Sequence, residues 1–197
     1  MATSKTAICN MALAKLGDKP RRISDYTLDE GVNAQWCRDF YDLARNEVIA
    51  RCDFACVRKT AELTQSAEDP DVTAWTYKYE RPDDCVVFRK MTDEGGNEYE
   101  FYEMTDSDGR FLYANVDDAW GVYSFLNDDP TTYSPGLIEM IYWSLAEKLA
   151  LPVTGKASIQ QAMFMGLDRA DRVGRAKDGV EHYIEQPEGN TKWTDGY

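Results

Sequence analysis

The sequence is short of the side chains that most reactive centres need. His182 is the only histidine, and it lies beside Glu181 on the polar end of a predicted helix. A catalytic triad built on histidine, or a metal site with several histidines, is therefore nearly excluded, because such sites need partner groups around the imidazole. The five cysteines are an odd set without a CxxC pair, which argues against a disulfide framework and a zinc site. We expect buried thiols at Cys9, Cys37, Cys52, Cys56 and Cys85.

Long apolar runs and an excess of positive charge are also missing. No hydrophobic stretch approaches the roughly 20 residues that span a bilayer, and the amino terminus lacks the basic and hydrophobic regions of a signal peptide. We therefore expect no membrane contact and synthesis in the cytosol. With 22 basic and 35 acidic residues, the chain carries a net charge of −13. That balance opposes tight binding of DNA phosphates, although an acidic wall would let a duplex slide past without sticking.

The remaining composition is that of a folded protein. A chain of 197 residues with 43% hydrophobic residues can bury a core, and this length suits one compact domain or a domain carrying an insertion. The aromatic fraction of 12% exceeds that of a solvated, disordered chain.

Helical periodicity is found at the amino end of the chain. Ser4 can cap a first helix that stops at Gly17, and a second helix is predicted from about Glu30 to Arg51. The predicted buried stripe of the second helix contains Val32, Trp36, Phe40, Leu43 and Ala44. Its predicted charged outer face contains Arg38, Asp39, Asp42, Arg45 and Asn46.

Two further helices are predicted near the carboxyl end. Pro135 can occupy the first turn of the third helix, and Pro152 is expected to end it. The fourth helix is predicted from about Lys156 to Ile184, with Gly166 and Gly174 permitting a close approach to a neighbour. Its predicted apolar stripe contains Ile159, Met163, Leu167, Ala170 and Val173.

The middle of the chain has the composition of β-structure, because β-branched and aromatic residues there are interrupted by Pro, Gly, Asn and Asp. We predict an α+β fold with a four-helix bundle core, an inserted antiparallel β-rich domain and an extended C-terminal arm. The predicted boundaries are 1–57 plus 130–185 for the bundle, 58–129 for the β-rich domain and 186–197 for the arm.

Paired aspartates are the basis of the enzymatic alternative, a metal-dependent hydrolase using the acidic residues near Asp106 and Asp117. Each pair lies beside a predicted turn or strand end, which favours a role in loops. The pairs are Asp83-Asp84, Asp117-Asp118 and Asp128-Asp129. The sequence Asp106-Ser107-Asp108-Gly109 resembles the start of a calcium loop but lacks the later ligands, so we predict a hairpin turn. An acidic DNA mimic is a third alternative, but it needs a long stripe of carboxylates, whereas here acidic and aromatic residues are interleaved.

The C-terminal tail contains large aromatic rings in a polar sequence, EQPEGNTKWTDGY. Such rings gain little unless they dock on another surface, and rings of this kind are typical anchors of protein interfaces. We therefore predict that Gln186, Trp193 and Tyr197 contact a partner protein, and we predict no catalytic, cofactor-binding or metal-binding residues.

Four segments of the chain resemble the tail tubular protein A family of podoviruses, the adaptors that join the portal to the tail nozzle. They are ICNMALAKLGD, FYDLARNEVIARCDFACVRK, WTYKYERPDDCV and LAEKLALPVTG. These segments are packing and turn patterns rather than chemical signatures, and the similarity spans most of the chain.

The resemblance implies a non-enzymatic structural protein in the neck of a short-tailed phage virion. It implies a dodecameric ring below the portal and above the nozzle, with genomic DNA passing through the lumen during ejection. The implied partners are the portal protein, a nozzle protein similar to tail tubular protein B, and further copies of this chain. A C-terminal segment of the family contacts the portal, which agrees with the role predicted for the arm.

Overall fold

Helices at both ends of the described chain enclose a β-rich middle. The computed structural model describes residues 3–17, 22–68, 70, 74–106 and 109–181. Its α-helices are α1 (Lys5–Lys15), α2 (Val32–Arg51), α3 (Pro135–Thr154) and α4 (Ala157–Glu181). Its strands are β1 (Arg58–Glu62), β2 (Tyr77–Glu80), β3 (Cys85–Thr92), β4 (Glu98–Tyr99), β5 (Phe101–Thr105), β6 (Arg110–Ala114) and β7 (Trp120–Phe125). The predicted α+β class is confirmed.

Hydroxyl caps begin two of the helices where the sequence predicts them. The Ser4 Oγ accepts a hydrogen bond of 3.1 Å from the backbone N–H of Ala7 at the start of α1. The Ser134 Oγ accepts one of 3.3 Å from the N–H of Leu137, and Pro135 occupies the first turn of α3. These bonds satisfy N–H groups that have no partner inside the helix.

The apolar helix α3 is the centre of the helical part, since it contacts α1, α2 and α4. The four helices contribute to one hydrophobic core. The buried residues of α3 in this core are Leu137, Met140, Ile141, Leu145, Ala146, Leu149 and Ala150. The close approach predicted at Gly166 is confirmed, because a Cβ atom added there would lie 2.4 Å from the ring of Trp143.

The strands form two antiparallel sheets with a second hydrophobic core. One sheet has the strand order β1-β7-β3-β4, and the other has the order β2-β6-β5. The largest members of the second core are Tyr79, Phe88, Met91, Leu112 and Tyr123. The hairpin predicted before Gly109 is confirmed, because β5 pairs with β6 and the Asp106 N–H donates to the Gly109 carbonyl over 2.9 Å.

Arg89 in β3 ties the strands to the end of α2. Its Nη2 donates to the carbonyl oxygens of Ile49, at 3.0 Å, and Cys52, at 2.8 Å. The last carbonyls of a helix have no partners within it, and they also form the negative end of the helix dipole. An ion pair also holds the segment that leads from α2 into β1, with 2.6 Å between Arg58 Nη2 and Asp53 Oδ2.

The predicted buried stripe of α2 is correct at Ala44 and wrong at Val32 and Leu43, which are exposed. Trp36 and Phe40 are half-buried against the core. The buried residues are Ala34, Cys37, Tyr41, Ala44, Arg45, Val48 and Ile49. The small residues among them let neighbouring helices approach closely. Arg45, predicted on the charged outer face, has only 3% of its side chain exposed.

Two details near the carboxyl end also differ from the sequence predictions. Pro152 lies inside α3, which continues to Thr154 and ends at Gly155 in the left-handed conformation, with φ of 67°. Proline removes one N–H near the helix end, where few later turns depend on it. Val173 is exposed although it was predicted on the buried stripe of α4. The described helix ends at Glu181, so its predicted continuation to Ile184, with His182, lies outside the described residues.

Candidate functional site

Loop aspartates near the strands are paired with cations rather than with one another. The Asp84 Oδ2 lies 2.8 Å from Lys59 Nζ, and the Asp106 Oδ2 lies 3.0 Å from Lys78 Nζ. Burial raises the pKa of Asp84, but hydrogen bonds from Lys59 and Tyr123 outweigh this effect and lower the pKa below its ordinary value. The Asp84 carboxylate therefore remains charged at neutral pH. Both ion pairs hold loops against strands.

Asp128, in the connection from β7 to α3, pairs with the buried guanidinium of Arg45 on α2. Lys5 Nζ lies 3.6 Å from the same carboxylate. Burial raises the pKa of Asp128, but the positive charges of Arg45 and Lys5 outweigh it, so the pKa is lowered. The pair fixes the returning chain against α1 and α2, which is a structural role.

The other predicted acidic pairs also act within loops. The Asp129 Oδ1 accepts a hydrogen bond of 2.9 Å from the Thr131 N–H and caps a short 3-10 helix. The Asp117 Oδ1 accepts one of 3.0 Å from the N–H of Asp118, whose φ of 48° is left-handed. The predicted loop role is confirmed for these two pairs. Within the part of the chain that the structure describes, no three His, Cys, Asp or Glu side chains are grouped so that they could hold a metal ion.

The cysteines are free thiols and most of them lie in the cores. Four are buried as predicted, whereas Cys56 is half-buried. The hydrogen bond between the thiols of Cys9 and Cys37, together with burial, raises the pKa of Cys9. A buried, protonated thiol is a weak nucleophile, so this pair is suited to packing between α1 and α2.

One open cleft of about 390 Å³ lies at the β-rich part, lined by residues 80–83 and 109–111. Both signs of charge meet there, because Arg81 Nε lies 2.9 Å from Glu103 Oε1 and Arg110 Nε lies 3.6 Å from the same oxygen. The two guanidinium groups thus already share one carboxylate. The cleft consequently offers no unpaired charge from these groups to a ligand.

The outer face of α2 is an apolar surface that no described element covers. Val32 is 65% exposed and Leu43 is 57% exposed, and Asp39 lies between them along the helix. Beside them the half-buried rings of Trp36 and Phe40 stack, with centroids 6.0 Å apart and an interplanar angle of 20°. Contiguous exposed apolar surface of this kind is typical of protein–protein contacts.

The outer face of α4 is a second such surface. Phe164 is 57% exposed and Met165 is 66% exposed at consecutive positions of this helix. Arg169 and Arg172 are exposed on the same stretch. This face combines apolar side chains with positive charge in a chain that is acidic as a whole.

The partner-contacting residues predicted from the sequence, Gln186, Trp193 and Tyr197, lie outside the described residues, as does the whole predicted arm. None of the helices that the structure describes is long and apolar enough to cross a membrane. The chain matches no protein-family model and no curated protein.

Sequence reasoning missed the outer face of α2 because it assigned Val32 and Leu43 to the core, and it made no assignment for Phe164 and Met165 of α4. The exposed side chains of α2 and α4 have the same periodicity as buried ones, so the pattern alone cannot tell a core from an interface. The sequence of α2 did contain a signal, because it has two apolar stripes and only one of them can face the core.

Proposed function

We propose that this chain is the head-to-tail adaptor of a short-tailed phage, a structural virion protein that forms a ring between the portal and the tail nozzle. In this proposal the four helices form a bundle core and the strands form an inserted domain. The residues after 185 form an arm that binds the portal. Genomic DNA passes through the ring during ejection.

The observation that carries the proposal is the join between the two hydrophobic cores. Arg89 connects β3 to the carbonyls at the end of α2, and Arg58 pairs with Asp53 in the adjoining segment. An adaptor has to keep two different neighbours in a fixed relative position, and partly buried charge-assisted bonds at a junction favour a rigid subunit over a hinged one.

The charge of the chain supports a conduit for DNA rather than a static DNA-binding site. A net charge of −13 per subunit repels phosphate groups, and a ring multiplies that charge by the number of copies. The duplex would then pass through without being held by counterion release.

The observed use of the aspartates also supports a structural role over the hydrolase alternative. Asp84 pairs with Lys59, Asp106 pairs with Lys78, and Asp128 pairs with Arg45. Carboxylates that already hold protein cations need those pairs broken before they can bind a divalent metal.

The portal-binding arm is tested by attachment to phage heads. Portal-bearing heads assembled without this chain are mixed with the full chain, with a chain lacking residues 186–197, and with two point variants. The point variants are Trp193→Ala and its control Thr194→Ala, and the heads are then sedimented. We expect the full chain and Thr194→Ala to sediment with the heads. We expect the chain lacking residues 186–197 and Trp193→Ala to remain in the supernatant.

Folding is checked on the same samples by circular dichroism, because the deleted residues lie after all the described helices. Attachment of the deleted chain at the level of the full chain would reject the arm as the portal contact. Failure of the full chain itself to attach would reject the adaptor function.

A further inference from the structure

We infer that a second copy of this chain covers both exposed helix faces, with the outer face of α2 in one copy docked on the outer face of α4 in the next. The inference rests on the proposed ring and adds to it the surfaces that close the ring. Here the α2 face means Val32, Trp36, Asp39, Phe40 and Leu43, and the α4 face means Phe164, Met165, Arg169 and Arg172.

Each face has the composition of an interface centre. The α2 face has two strongly exposed aliphatic side chains beside a stacked Trp36–Phe40 pair. The α4 face presents Phe164 and Met165 as adjacent exposed side chains. Aromatic residues and methionine are enriched at the buried centres of interfaces, so the two faces match in chemistry.

The charges on the two faces are complementary. Asp39 and Asp42 are exposed on α2, whereas Arg169 and Arg172 are exposed on α4. Arg172 pairs with Asp168 within its own helix, and Asp42 lies 3.3 Å from Arg45. No ion pair joins Asp39 or Arg169 to another described side chain, so this aspartate and this arginine are available to each other across two copies.

The local charge of α4 favours this chain itself as the partner. Arg169 and Arg172 are exposed on this helix, although the chain as a whole has a net charge of −13. Exposed arginines on an acidic protein are attracted to other copies of that protein, and the α2 face supplies acidic groups beside an apolar centre.

The use of two different faces sets the symmetry of the assembly. A contact between unlike faces leaves a pair of copies with a free α4 face on one member and a free α2 face on the other, so further copies add until a ring closes or a filament grows. A contact between two α2 faces would instead stop at a dimer.

The test uses two variants of the full chain, each with one face blocked. Leu43→Glu places a charge in the α2 face, and Met165→Glu places one in the α4 face. Because both side chains are exposed, each variant is expected to fold with unchanged circular dichroism. Thr105→Glu, at an exposed position of β5, is the control for an added charge.

Analytical ultracentrifugation over a concentration series then separates the outcomes. We expect the unmodified chain and Thr105→Glu to form species larger than a dimer, and each blocked variant alone to stay monomeric. An equimolar mixture of the two blocked variants has one intact α2 face and one intact α4 face. It is therefore expected to form a 1:1 dimer and nothing larger.

Three results would overturn the inference: monomers in the mixture, a dimer of either blocked variant alone, or an unmodified chain that stays monomeric at every concentration. Charge reversal gives a second readout. Asp39→Arg alone is expected to weaken association about tenfold, and adding Arg169→Asp to restore it.

The outcomes separate this inference from the proposed function. A 1:1 dimer in the mixture with no attachment to portal-bearing heads would keep the interface and reject the adaptor. Attachment to heads by a chain whose blocked variants fail to pair would keep the adaptor and reject these faces.

Discussion

The guanidinium of Arg89 in β3 donates a 2.8 Å hydrogen bond to the carbonyl oxygen of Cys52, directly after α2. The same nitrogen donates to the carbonyl of Ile49, so one strand residue satisfies two acceptors at the end of a helix. Because these carbonyls have no partners in the helix, the bond joins the helical and β-rich parts through backbone groups that would otherwise need water.

Replacing Arg89 with Met is expected to lower the free energy of unfolding by about 2–3 kcal/mol, because buried carbonyls lose a charged donor. Urea denaturation followed by circular dichroism measures the change. Lys90→Met is the matched control, since Lys90 is the next residue on β3 and its ion pair with Glu98 is largely exposed. The control is expected to change stability by less than about 0.5 kcal/mol. Equal effects of the two substitutions would contradict the role given to Arg89.

Gly166→Ala is expected to destabilise the chain by about 1–3 kcal/mol, because the added Cβ would overlap the ring of Trp143 and force the helices apart. Helix propensity alone would make this substitution stabilising by about 1 kcal/mol, so a loss of stability reports the overlap with Trp143. Gln161→Ala, at an exposed position of the same helix, controls for helix propensity. A Gly166→Ala variant with an unchanged or higher melting temperature would show that α3 and α4 are not packed this closely.

Asp128→Asn is expected to lower the free energy of unfolding at pH 7 by about 1–2 kcal/mol. This is less than the cost of breaking a fully buried ion pair, because Asp42 remains beside Arg45 as a second carboxylate. The pKa of Asp128 is lowered in the folded chain. Its contribution is therefore complete above the ordinary aspartate pKa of about 3.9 and is lost as the pH falls through the lower, folded pKa. The difference between this variant and the unmodified chain should shrink across that acidic range. The exposed substitution Glu94→Gln serves as the control, and a difference that stays constant with pH would contradict the pairing.

Calorimetric titration of the chain with Mg²⁺, Mn²⁺ and Ca²⁺ is expected to show no stoichiometric binding, because the aspartates of the acidic alternative are paired with cations or hold turns. A site of micromolar affinity would instead favour a metal-dependent hydrolase. Loss of that heat in Asp117→Asn would locate the metal at the loop before β7.

The sequence was most informative where a single residue type has one local role. Ser4 and Pro135 mark helix starts, and Gly109 marks a hairpin turn, because capping and turn chemistry act within a few residues. It failed where tertiary packing decides between equal local choices. The two stripes of α2 have the same period, and only the packing of the folded chain selects the one with Cys37.

The buried position of Arg45 was unpredictable for a related reason. Its partner Asp128 is 83 residues away, and a pair so distant in sequence leaves no local pattern. For the candidate site, the aspartates in loops were predicted correctly from turn preferences. The outer face of α2 was missed because exposed and buried apolar residues of a helix share one hydrophobic period.

Electron microscopy of the purified chain mixed with portal particles from the same genome tests the adaptor function most directly. We predict closed rings of this chain on one face of the portal, with the portal alone and the chain alone as controls. The mixture is examined once with the chain in excess and once with the portal in excess. Bare portal particles beside free monomers of the chain in both mixtures would contradict the account.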